Sequence, residues 1–249
     1  MVKGLDLFRE YFSEYTEQYV LIGGAACNIS FSYNDLEFRA TKDLDMVLVV
    51  EAQTKEFAQK FWDFIHEGKY RNRAKSNGKP QFYRFDKPEV AGYPAMIELF
   101  SRSDCLEEKG MGLIPIHIDD SVSSLSAILL NDAYYQLLLQ GRTVIEEISI
   151  LQPSCLILFK VKAWLDLNKR LAEGEHVDSR DIKKHKNDIV RMVSEIVLEP
   201  CKITEEVRAD MVEFIREFHV TDAELKNLKI HGVHETEIIK TLEQTFNLW

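Results

Sequence analysis

The chain has 249 residues, 45% of them hydrophobic, and a formal net charge of −10 at pH 7. That is material for the core of one large domain or two modest ones, as expected of a globular enzyme or binding protein. The acidic excess argues against a general nucleic-acid coat protein, although a local basic surface can coexist with it, and apolar runs such as MVLVV fall far short of a membrane span of about 20 residues.

The opening MVKGLDLFREYFSEY carries acidic residues on an amphipathic helical pattern rather than a signal-peptide profile, which places the chain in the cytoplasm. YVLIGG (19–24) reads as a strand that ends in two glycines and runs into a helix. Strands follow at DMVLVV (45–50), PQFYRF (80–85), AMIELF (95–100) and LIPIHI (113–118), with a helix over about 53–67. Residues 123–151 are ambiguous in period and fit a helix or a strand pair. From Pro153 the texture becomes helical: one long helix stops at Gly174, Asp178 caps the next, Thr204 another, and Thr221 with Glu224 forms a capping box. The expected organisation is an α/β or α+β domain over 1–150 and a helical bundle over 151–249. Cys27, Cys105, Cys155 and Cys201 are scattered without metal-ligand spacing and read as reduced core thiols.

The stretch RATKDLDMVLVV (39–50) sets Asp43 and Asp45 two apart at the head of an apolar strand. Side chains at i and i+2 share a face, and two carboxylates that close repel unless a cation lies between them. The pair therefore asks for a metal, with magnesium the natural ion beside phosphates. Upstream, the Gly23-Gly24 turn lets backbone amides approach a phosphate closely. A two-metal phosphoryl-transfer site wants a third acid, and Glu98 is the one charge in the apolar run 95–100; Asp86 and Asp104 are the fallbacks. There is no GxxxxGK[ST], HExxH or GxSxG, and His231 and His234 fit a loop or helix cap.

Taken together, Gly23-Gly24, the R-x-T-x-D-L-D-M set of Arg39, Thr41, Asp43 and Asp45, and the later acid Glu98 resemble the nucleotidyltransferase superfamily in its AbiEii-type toxin branch. The block from Lys160 to Ile189 resembles that branch too, with Arg180-Asp181 in the place of its basic-acidic pair. Asp188, seven residues on from Asp181, is an alternative second-domain acid on the same helix face. The resemblance implies an α+β fold with a nucleotidyltransferase-like mixed β-sheet and flanking helices, like the DNA polymerase beta catalytic core, then a helical bundle. It also implies an NTP donor, Mg²⁺, and transfer of a nucleoside monophosphate with release of pyrophosphate. Asp43, Asp45 and Glu98 would be catalytic and metal-binding, and Gly23, Gly24 and Thr41 nucleotide-binding.

Two basic clusters bear on donor and acceptor. Residues 69–87, read as a hairpin turning at 76–78, carry Arg71, Arg73 and Lys75, which could grip a polynucleotide or simply solvate an edge hairpin. Lys160 and Lys162 sit within LILFKVKAWL, where a lysine offers a point charge to a triphosphate or snorkels from an amphipathic helix. The first reading, which the resemblance implies, is an active nucleotidyltransferase, the toxin of a toxin-antitoxin or phage-defence pair with an antitoxin protein as partner. Its acceptor is a tRNA end, another nucleic acid, a protein hydroxyl or a small molecule, and the basic clusters together with the related toxins favour an RNA, a tRNA 3′ end above all. The second is a regulatory module with the same fold that binds nucleotide without turnover; a metal-dependent nuclease is a weaker third.

Overall fold

The computed structural model describes residues 2–74, 80–100 and 131–249. Its contacts divide them into two units, one of residues up to 100 together with 142–152, the other of 131–141 together with 153–249. The first unit is built from α1 (Leu5–Phe12), β1 (Tyr19–Ile22), α2 (Gly23–Tyr33), β2 (Asp43–Leu48), α3 (Lys55–Glu67), β3 (Arg71–Ala74), β4 (Pro80–Asp86), β5 (Met96–Phe100), β6 (Arg142–Ile145) and β7 (Ile148–Leu151). Its strands form one mixed sheet of seven in the order β3-β4-β5-β2-β1-β7-β6. The fold is α+β, a mixed sheet with flanking helices.

β1 lies inside the sheet, antiparallel to β2 and parallel to β7, and all four of its residues are buried. A strand covered on both faces needs no alternation, which is why YVLI is continuously apolar. β2 does alternate where it begins: Leu44 and Met46 are fully buried while Asp43 and Asp45 are half-buried. Helices α1 and α3 bring Phe8, Phe12, Phe57 and Phe64 into ring contact with one another or with Tyr19 of β1. α3 starts where Thr54 accepts a hydrogen bond from the Phe57 amide at 3.2 Å. The expected strand at 113–118 and the turn at 76–78 lie outside the described residues.

The second unit consists of α4 (Asp132–Gln140), α5 (Pro153–Ala172), α6 (Ser179–Glu195), α7 (Glu205–Glu217), α8 (Asp222–Asn227) and α9 (Glu235–Phe246). The ambiguous stretch before residue 150 thus holds both alternatives, a helix and a strand pair. Its helix belongs with the bundle, so the division between units is not a single boundary at 150. Asp178, Thr204 and Thr221 each cap the helix expected of them, and Gly174 takes φ +87 just past the end of α5. α5 is buried almost all round from Ser154 to Leu165, and Trp164 meets Phe214 of α7 edge-on at 5.2 Å. No helix among the described residues is long and apolar enough to cross a membrane.

The β6-β7 turn is formed by Glu146 and Glu147, both with positive φ, 47° and 62°. Two residues in that region make the twist of a type I′ hairpin, where asparagine and glycine are preferred. Glu147→Gly should therefore stabilise the protein by about 1 kcal/mol, read as a Tm increase of ~2–4 °C.

Candidate functional site

Pairing between β1 and β2 sets Ile22 opposite Asp45, so the chain leaves β1 for α2 beside the Asp45 side chain. Gly23, the first residue of α2, has φ +64, and a Cβ added there would lie 2.0 Å from Asp45 Oδ2. A Cβ at Gly24 would lie 2.8 Å from Thr41 Oγ1 and 3.5 Å from Arg39 Nη2. The two glycines therefore let a carboxylate, a hydroxyl and a guanidinium close over the first turn of α2. The amides of a first turn have no acceptor within the helix and form the positive end of its dipole, a setting that suits an anion. The positions proposed for phosphate and metal, Gly23, Gly24, Thr41 and Asp45, thus form one cluster, with Asp43 two residues away on the same strand face.

β5 runs parallel to β2 with Glu98 level with Asp45. Arg84 stands opposite Glu98 on β4 and is ion-paired with it. The fallback Asp86 is buried on β4, level with Arg71 and Met96; Asp104 lies outside the described residues. Among the described residues no three His, Cys, Asp or Glu side chains form a group able to hold a metal. Two half-buried carboxylates on one face nevertheless fit magnesium, which takes hard oxygen ligands and is commonly bound through one or two carboxylates, waters and substrate phosphates. Asp43 and Asp45 are the residues that would hold it. Glu98 spends one carboxylate oxygen, Oε1, on Arg84.

The second unit treats its expected site residues differently. Lys160 is buried and donates to Asp188 at 2.7 Å, so two side chains expected at a site are partners of each other. Lys162 donates to both carboxylate oxygens of Asp210, at 2.7 and 2.9 Å, and the Tyr134 hydroxyl donates to the same group at 2.8 Å. Burial, reinforced by the Asp210 charge, pushes the Tyr134 phenol up. Asp181 is exposed in the first turn of α6, whereas Asp188 on that helix is 1% exposed. Arg180 turns back to Asp178, and its hydrogen bonds bring that carboxyl down to about 2.

Of the basic residues on the β3-β4 hairpin, Arg71 is exposed and 3.6 Å from Glu89, and Arg73 lies on β3 beside a register shift. Lys75 lies outside the described residues. Of the basic residues on α6, Lys186 is bound to Glu224 and Arg191 to Glu195, each at 2.7 Å. The partner roles of Asp210 and of Arg84 toward Glu98 were not anticipated. Only the Arg84 pairing had a sequence signal: an arginine and a glutamate in strands that become neighbours.

No protein-family model matches the chain, and no curated protein matches it either. Among solved structures the chain is similar to an antigenic nucleotidyltransferase-like protein from Paracoccidioides brasiliensis. The two are 15% identical, the match covers 91% of this chain and 93% of that one, and the TM-score is 0.45.

Proposed function

We propose that the protein is a Mg²⁺-dependent nucleotidyltransferase that moves a nucleoside monophosphate from an NTP to an acceptor hydroxyl. The observation that carries this reading is the closure of Asp45, Thr41 and Arg39 over Gly23 and Gly24 at the start of α2. In it, amides and Arg39 receive the triphosphate, Thr41 orients it, and Asp43 and Asp45 face the same space. Asp43 and Asp45 would hold magnesium, which would supply positive charge against the phosphates. Lys160 and Lys162 are committed to Asp188 and Asp210 and are left out of the nucleotide contacts. The acceptor proposed is an RNA, a tRNA 3′ end in particular, gripped by Arg71, Arg73 and Lys75, and the biological role is that of a toxin with an antitoxin protein as partner.

Incubation with each labelled NTP, total RNA and Mg²⁺ tests this. RNA should gain label, and EDTA should abolish the gain; no label in any macromolecule would sink the reading. Arg71→Ala, Arg73→Ala and Lys75→Ala together should reduce RNA labelling about tenfold or more while NTP affinity changes little, because each lost phosphate contact weakens only the polyanion. Equal labelling would leave the hairpin as a solvated edge. Gly24→Val should weaken NTP binding at least about tenfold, since its side chain would displace Thr41 and Arg39 and fill the approach to the amides. Unchanged affinity in the folded variant would remove the glycines from the site.

A second reading, nucleotide binding without turnover, is favoured by one observation: the ion pair that holds Glu98 on Arg84. It predicts tight NTP binding in the same assay with no transfer.

A further inference from the structure

We propose that Cys155 and Cys201 form a reversible disulfide, a modification site in the helical unit that responds to hydroperoxides. The two sulfurs lie 3.6 Å apart, against about 2.05 Å in a disulfide, so a modest rotation of the side chains would bring them to bonding distance. They are far apart in sequence and meet because the start of α5 and the segment between α6 and α7 are fastened together. Ser154 Oγ donates to the Glu199 carbonyl at 2.6 Å, and the Cys201 amide donates to the Thr245 carbonyl at 3.0 Å. Gly141 supplies room, because a Cβ there would stand 2.3 Å from Cys155 Sγ.

The two thiols differ in access, which sets the order of events. Cys155 is 1% exposed, whereas Cys201 is only partly covered. An oxidant therefore reaches Cys201 first. The hydrogen bond with Cys155 lowers the Cys201 thiol, which favours the reactive thiolate. The Cys201 thiolate attacks the terminal oxygen of a hydroperoxide, the O–O bond breaks, and an alcohol or water leaves with a proton from solvent. The resulting sulfenic acid is then attacked by Cys155, whose sulfur forms the S–S bond as water departs with the Cys155 proton. Overall two thiols lose two electrons and two protons, and the hydroperoxide is reduced. A thiol reductant reverses the bond by exchange.

The test uses the full chain. Reduced protein is treated with hydrogen peroxide, quenched with an alkylating agent under denaturing conditions, and digested with trypsin without reductant. Residues 143–160 and 192–202 are each a tryptic peptide with a single cysteine. They should appear joined, at the summed mass less two hydrogen atoms, and separate on reduction. The oxidised protein should also melt several degrees higher than the reduced one, because the crosslink closes a long loop in the unfolded chain, and reductant should cancel the shift. In Cys155→Ser the sulfenic acid on Cys201 should persist and be trapped by a cyclic diketone. Two results on the parent chain, which involve no variant and no folding defect, would overturn the proposal. One is oxidation of Cys201 to sulfinic acid while Cys155 remains alkylatable. The other is linkage of Cys201 to Cys27 or Cys105 instead.

Discussion

Asp45→Asn is expected to lower nucleotidyl transfer at least about a hundredfold while the protein stays folded, and Asp43→Asn should do the same. Asparagine keeps the volume of aspartate, removes the charge and turns one acceptor oxygen into a donor. Each carboxylate is half-buried at the mouth of β2, so neither substitution opens a cavity. What is lost is half of the anionic pair at the head of β2, and with it the proposed hold on Mg²⁺. Initial rates of label transfer at saturating NTP and Mg²⁺, with Tm measured alongside, check the prediction. Transfer at the parent rate in either variant would dismiss the carboxylate pair as the catalytic centre. A Tm loss of many degrees would instead assign Asp45 to fixing Gly23 and the turn from β1 into α2.

The second large effect concerns stability. Lys160→Met should destabilise the protein by about 3–5 kcal/mol, because it removes the buried ammonium that donates to the Asp188 carboxylate. For a chain of this size that is a Tm decrease on the order of 10 °C. Asp188→Val alone should cost a similar amount, because it removes the carboxylate to which the buried Lys160 ammonium donates. Combining the two should recover most of the loss, since a buried ion pair and a well-packed apolar pair of similar volume are often close in energy. Thermal melts of the two single variants and the double variant form the cycle that measures the coupling. Additive losses in the double variant would mean that each residue acts through other contacts. NTP affinity of the double variant should match the parent, which distinguishes a structural ion pair from a triphosphate contact.

The helix starts were legible because their determinants are local. Asp178, Thr204 and Thr221 each meet a backbone amide two or three residues away, so the capping residue and its acceptor role are written within one turn. The Asp43 and Asp45 strand was legible for the same reason, since alternation needs only neighbouring residues. The pairing of Lys160 with Asp188, and of Cys155 with Cys201, depends on how helices come together, and nothing in the intervening sequence specifies it. Glu98 shows the intermediate case. Its isolation in an apolar run pointed to a metal, but an arginine can meet a half-buried carboxylate too, and the register of β4 against β5 supplies Arg84. The β6-β7 hairpin was hidden by its turn, because Glu146-Glu147 carries none of the chemistry by which such turns announce themselves.

The place of β7 in the sheet has a consequence for biosynthesis. β1 is synthesised long before β7: β2 soon covers one of its sides, but its other side is closed only by residues 148–151. Until these have been synthesised, an unbroken apolar strand offers its free amides and carbonyls to any extended segment nearby. The interval in which the growing polypeptide is vulnerable to association with its neighbours is therefore set by the distance along the messenger between these two short strands, and α4 must be made within it.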